Sequence, residues 1–188
     1  MMTLARQVLA GWLLLPALGG PASADSATVP ALLKPLDLVG YAARTAPPGL
    51  SGHTFDARPV AMAELRGKVV LVNFWASWCL ECRPEMPRLE RLHREFAAQG
   101  LAVIAVNARE DREAVRRYAK ELSLTFPLVL DPDGKITGAY GVVGLPTTFV
   151  VARDGRAVAL AVGPREWAGT SARELIKALL AELAPHSQ

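Results

Sequence analysis

Val69–Pro87 reads VVLVNFWASWCLECRPEMP. Its first part, Val69–Trp75, is apolar except for Asn73, the pattern of a strand covered on both faces. The two cysteines of the chain follow as Cys79-Leu80-Glu81-Cys82. Beyond them Met86, Leu89, Leu92 and Phe96 recur at helical spacing, with Glu90, Arg91, Arg94 and Glu95 between them. This predicts a helix over 84–98, ended by Gly100. Two cysteines separated by two residues, placed where a strand gives way to a helix, form a redox arrangement.

The attacking species in disulfide exchange is a thiolate, so the attacking cysteine needs a depressed pKa. A helix N-terminus supplies it through unpaired N–H groups and the helix dipole. Cys79 falls at that end and is the expected nucleophile. Cys82, one turn later and more sheltered, is the expected resolving thiol. A purely structural disulfide is the weaker explanation, because closing so small a loop stabilises by only about 2 kcal/mol. A zinc site needs four ligands, and neither a second cysteine pair nor paired spacing among His53, His93 and His186 provides them. Two thiolates also suit Cu(I), so copper handling stays open.

The chain has 188 residues, 51% of them hydrophobic, enough for one domain with a substantial core. Its net charge is +3, from 21 basic and 18 acidic residues mixed along the chain, with no basic stripe for nucleic acid. Residues 1–24 read as a signal peptide: Arg6, an apolar stretch Val8–Leu18 broken by Pro16, and Ala22-Ser23-Ala24 as a cleavage signature. An uncleaved anchor is the alternative. Export to the periplasm is therefore expected, where glutathione does not hold thiols reduced. Residues 25–51, rich in Ala, Pro, Gly and Leu, read as an irregular lead-in.

Residues 52–184 then form the expected domain, with 185–188 as a tail. His53–Asp56 and Pro59–Met62 suggest a short strand pair, an N-terminal β extension. After the main strand and helix come a strand at Leu101–Val106, a helix at Asp111–Leu122, a strand at Phe126–Leu130 and a short helix at Lys135–Tyr140. A hairpin of Thr147–Ala152 and Arg156–Val162 turns at Asp154-Gly155. A capping-box match, Ser171-Ala172-Arg173-Glu174, starts a final helix. Early βαβ crossovers followed by a hairpin predict an α/β fold: a central mixed sheet with helices on both faces.

Trp75–Pro87 resembles the thioredoxin superfamily, and within it the exported TlpA-like, ResA-like and CcmG-like thiol–disulfide oxidoreductases. The resemblance runs over about Gly52–Leu183 and implies a thioredoxin-like fold. Gly141–Phe149 is similar to the family's stretch containing a cis-proline. It implies that Pro146 follows a cis bond and faces the cysteines, and that Leu145 pairs its backbone with the substrate. Asn73 stands where cytosolic thioredoxins carry a buried aspartate. Glu85 matches an acidic residue implicated in proton handling near the second cysteine; as a residue in an early helix turn it could equally be solvated there. Pro87 matches a kink-forming proline. Trp75 is expected in the core and Trp78 at the rim of the site, offering partners an apolar surface. Trp167 is read as packing for the last helix. The departure from the family is Glu81, where Pro is usual. Its carboxylate opposes thiolate formation at Cys79 but favours the helix N-terminus.

The resemblance implies a reductase of disulfides in exported client proteins, of the cytochrome c maturation or copper-site assembly type. It acts as a monomer without a cofactor, fed by a membrane or soluble thiol electron donor. An oxidant or isomerase using the same pair is the first alternative, and a copper-binding module the second. A peroxidase of the peroxiredoxin type is disfavoured, because no Pro-x-x-x-Thr pattern precedes Cys79.

Overall fold

The computed structural model describes residues 29–182. The expected signal peptide at 1–24 and tail at 185–188 lie outside the described residues. A six-stranded mixed sheet organises the chain in the order β1-β8-β7-β4-β5-β6. β4 (Val69–Trp75) is its centre, parallel to β5 (Leu101–Ala108) and antiparallel to β7 (Thr147–Val151). β6 (Leu128–Asp131) extends the parallel half beyond β5, and β8 (Ala157–Val162) extends the antiparallel half beyond β7. A strand paired on both edges and covered on both faces has no solvated side, hence the nearly continuous apolar reading of β4. Val70, Val72 and Phe74 pack on one face of the sheet; Leu71 and Trp75 pack on the other.

The second of these faces is covered by α2 (Cys82–Phe96), α3 (Arg112–Glu121) and α5 (Thr170–Ala181). The first is covered by Ile136 of the short helix α4 (Lys135–Ala139), by Tyr140 just after it, and by Val60 of the two-stranded β2–β3 pair. β2 (Ser51–His53) and β3 (Pro59–Ala61) are antiparallel. β2 ends at His53, earlier than expected, because Thr54–Arg58 forms the turn: Thr54 N–H donates to the Arg58 carbonyl, and Ala57 takes a left-handed φ of 68°.

The largest departure from the sequence reading lies in the expected irregular lead-in. Val29–Leu33 is a helical turn, α1, continued by a 3-10 turn at Lys34–Leu36. Val39–Thr45 is β1, paired antiparallel with β8 on the edge of the main sheet. The sheet therefore reaches back past Gly52, the expected start of the domain. Edge pairing leaves most of β1 exposed, so its composition carries no hydrophobic alternation to read.

Two helix starts also differ. α2 begins at Cys82 rather than Pro84. Pro84 is its third residue, where the missing N–H has no intrahelical partner to lose. α5 begins at Thr170 with Gly169 as N-cap, and no side chain caps it, so the Ser171–Glu174 box is not formed. Arg173 N–H already donates to the Gly169 carbonyl, which sets the start ahead of Ser171.

Candidate active site

The two cysteines sit beyond the C-terminal end of β4, where the sheet changes direction: the chain runs by α2 to β5 on one side, while β7 lies on the other. Crevices at such switch points are the usual ligand sites of open α/β sheets. Cys79 and Cys82 are joined in a disulfide. Cys82 is completely buried and Cys79 is 7% exposed, so attack from outside can reach Cys79 alone. Cys82 N–H, at the start of α2, donates to Cys79 Sγ at 3.1 Å. Glu81, the N-cap residue, is exposed and makes no side-chain cap bond.

The loop leading to Cys79 is fixed from the side by Glu110, which the sequence reading missed. Its carboxylate accepts the Ser77 N–H at 2.7 Å, the Ser77 hydroxyl, and Asn107 Nδ2 at 2.7 Å. An acid directly after a buried strand, at the end of the sheet that carries the cysteines, was the available signal.

In front of the disulfide lies an open groove of about 620 Å³, lined by Trp78, Cys79, Leu80, Arg109, Val143 and Leu145 among others. Trp78, Leu80 and Val143 are 67%, 87% and 95% exposed, an unusual amount of apolar surface around one reactive atom. The Leu145–Pro146 peptide bond is cis, and Leu145 shares the groove with Cys79. The Pro146 carbonyl accepts from Gly163 N–H at 2.8 Å, tying this loop to the end of β8.

Behind the disulfide the environment is closed and polar. Glu85, one turn along α2 from Cys82, is fully buried, so it is not a solvated surface acid. Its Oε1 accepts Trp167 Nε1–H at 2.7 Å and Arg165 N–H at 3.0 Å; its Oε2 accepts from Asn73 Nδ2 at 3.0 Å. Asn73 Nδ2 also donates to Thr148 Oγ1 at 2.9 Å, while Asn73 Oδ1 has no partner among the described residues. Burial raises the Glu85 carboxyl to about 7, against the pull of hydrogen bonds from Trp167, Arg165 and Asn73 in the other direction.

Trp75 is fully buried and stacks obliquely on Tyr118, with ring centroids 4.6 Å apart. Trp167 is also fully buried, but its polar edge is bonded to Glu85, a contact that the sequence reading did not foresee. No group of three His, Cys, Asp or Glu side chains suited to a metal occurs among the described residues.

A mixed sheet, a Cys-x-x-Cys disulfide at a helix N-terminus and a cis Leu145–Pro146 bond whose Leu145 shares the groove with Cys79 define a thioredoxin-like dithiol–disulfide protein. A family model describes the same chain: residues 43–159 match the AhpC/TSA family, and the protein belongs to it. It is similar to the thiol–disulfide oxidoreductase ResA of Bacillus thuringiensis, 32% identical over 130 residues, spanning 69% of this chain and 72% of that one. Among solved structures it resembles a thiol:disulfide interchange protein of the thioredoxin family from Chlorobium tepidum. That similarity has a TM-score of 0.67 and 29% identity over 74% of this chain and 99% of that one. A secreted disulfide oxidoreductase of Mycobacterium tuberculosis gives a TM-score of 0.59 and 26% identity over 70% and 95%. The chain is a thiol–disulfide oxidoreductase.

Proposed function

We propose that this protein reduces disulfides in extracytoplasmic client proteins, with Cys79 as nucleophile, Cys82 as resolving thiol and Glu85 as the proton acceptor behind them. The carrying observation is the asymmetry of the pair: Cys79 opens on the groove, whereas Cys82 is completely buried at the start of α2. In the reduced protein the Cys79 thiolate attacks a client disulfide, forming Cys79–S–S–client and releasing one client thiolate, which takes a proton from solvent. Cys82 then gives its proton to Glu85 and attacks Cys79 Sγ. The second client sulfur leaves, and the Cys79–Cys82 disulfide forms. Two electrons pass to the client, and a thiol electron donor restores the pair.

The reducing direction is supported by how few hydrogen-bond donors are aimed at Cys79 Sγ. Cys82 N–H is the hydrogen bond made to Cys79 Sγ among the described residues. The residue between that N–H and Leu80 is acidic Glu81. Strong oxidants of this fold are oxidising because their reduced form is stabilised. Trp78, Leu145 and Pro146 receive the client, the first through its exposed ring. Residues 1–24 act as the export signal, which places the reaction in the periplasm, on clients of the cytochrome c maturation or copper-site assembly type.

Trapping tests the assignment. Cys82→Ser is expected to accumulate mixed disulfides through Cys79, and Cys79→Ser to accumulate none. Equal trapping by both variants would overturn the roles given to the two sulfurs.

A further inference from the structure

The loop between β8 and α5 touches both sides of the candidate site. At one end Gly163 N–H holds the Pro146 carbonyl at 2.8 Å, in front of the disulfide. Towards the other end, Arg165 N–H and the Trp167 indole hold the same oxygen of Glu85, behind it. The Arg165 contact is main chain and would survive almost any side chain at that position. The Trp167 contact depends on its side chain. Both partners are fully buried, and their 2.7 Å separation is that of a charge-assisted bond. A phenyl ring at that position keeps the apolar character of the site without offering a donor.

A donor aimed at a carboxylate favours its ionised form and also fixes which way the carboxyl plane faces. We infer that Trp167 is a positioning residue of the exchange reaction: its indole N–H orients the Glu85 carboxyl and sets the pH at which that carboxyl releases its proton. The inference rests on the reading of Glu85 as the proton acceptor for Cys82. The other groups around Glu85 leave this role to Trp167. The nearby charge is the Arg165 guanidinium, itself engaged with the Asp37 carboxylate at 3.1 Å and the Asp37 carbonyl at 2.7 Å. Arg88, one turn further along α2, pairs with Glu166 at 2.8 Å. β4 and β7 contribute the uncharged Asn73 and Thr148, and Cys82, in the disulfide, opens α2 one turn before Glu85.

The test is an NMR titration of the Glu85 carboxyl carbon and the Trp167 indole N–H in the whole protein. It is run beside the pH profile of mixed-disulfide resolution in single-turnover assays. In the wild type both resonances are expected to move with one midpoint, and the indole is expected to stop responding in Glu85→Gln. In Trp167→Phe the carboxyl midpoint and the kinetic limb are expected to move up together by about 1 pH unit, the effect of losing one hydrogen bond to a charged group. A flat indole response in the wild type overturns the proposal even if Trp167→Phe does not fold. A limb that vanishes in Glu85→Gln but stays in place in Trp167→Phe overturns the Trp167 assignment alone. A limb that persists in Glu85→Gln overturns the Glu85 reading, and the Trp167 proposal with it.

Discussion

The two sides of the Cys79–Cys82 disulfide are built from opposite materials. In front, Trp78, Leu80 and Val143 surround Cys79 with exposed apolar surface, and the Arg109 side chain lines the same groove. Behind, Asn73, Glu85, Thr148 and Trp167 form a sealed polar layer. Apolar surface left in water is a docking feature, since burial on contact is its main source of energy. A buried carboxylate is the reverse: costly in the fold, and useful where a proton must move without solvent. Cys79 thus lines the groove, whereas Cys82 is completely buried. The proposed division of labour between two chemically identical thiols rests on that difference in burial.

Substitutions on the two sides should separate cleanly. The largest effect is expected at the sulfurs: Cys79→Ser and Cys82→Ser should each abolish turnover of a disulfide substrate, yet only the second should retain the ability to form a mixed disulfide. Detectable turnover in Cys79→Ser, followed by thiol release, would break the division.

Next comes the buried layer. The folded-state pKa of Glu85, about 7, lies above the ordinary carboxylate value of 4.5. The fold therefore binds this proton more tightly than the unfolded chain does. The resulting stability is fully present below about pH 4.5 and is lost as pH rises through about 7. At 1.36 kcal/mol per unit, that is about 3 kcal/mol over the window. Glu85→Gln carries no such proton. Denaturant unfolding at pH 4.5 and pH 8 should show wild type losing about 3 kcal/mol relative to the variant, and parallel behaviour of the two would contradict the buried-acid account. Any constant offset reflects the Gln amide meeting the Trp167 donor and is not the test.

Glu110→Ala should cost about 1–3 kcal/mol, because it strips the partners from the Ser77 N–H, the Ser77 hydroxyl and Asn107. The loss should be accompanied by faster hydrogen exchange at Ser77, whereas unchanged exchange would show that the loop does not need the clamp. The smallest effect on the fold is expected in front. Trp78→Ala and Val143→Ser should leave stability within about 0.5 kcal/mol. They should nonetheless slow reaction with a protein client several-fold more than reaction with a small disulfide. Equal slowing of both substrates would remove the groove from client recognition.

The sequence made the front of this arrangement readable because its parts are local. A strand, two cysteines and a helix lie within Val69–Phe96, and the Leu145–Pro146 loop directly precedes a strand. Cys79, Cys82 and Trp78 could be placed by counting along one strand–helix unit. The back could not. Glu85 reads equally as a surface acid in an early helix turn until Trp167, far along the chain in the loop between β8 and α5, is brought against it. Glu110 belongs to the loop after β5, and its partner Ser77 belongs to the loop after β4; only the parallel pairing of those strands makes them neighbours. β1 was hidden for a related reason. Its partner, β8, lies at the other end of the domain, and the exposed edge strand Val-Gly-Tyr-Ala-Ala-Arg-Thr has no sustained hydrophobic alternation to announce it.

The reduction potential of the Cys79–Cys82 couple, measured by equilibration with glutathione or thioredoxin at pH 7, decides which way electrons flow between this protein and its clients. A thiolate supported by one backbone N–H and flanked by Glu81 should give a reducing couple, at or below about −200 mV. A value near about −120 mV, that of a strong disulfide-forming oxidant, would contradict the account and reverse the direction of electron flow.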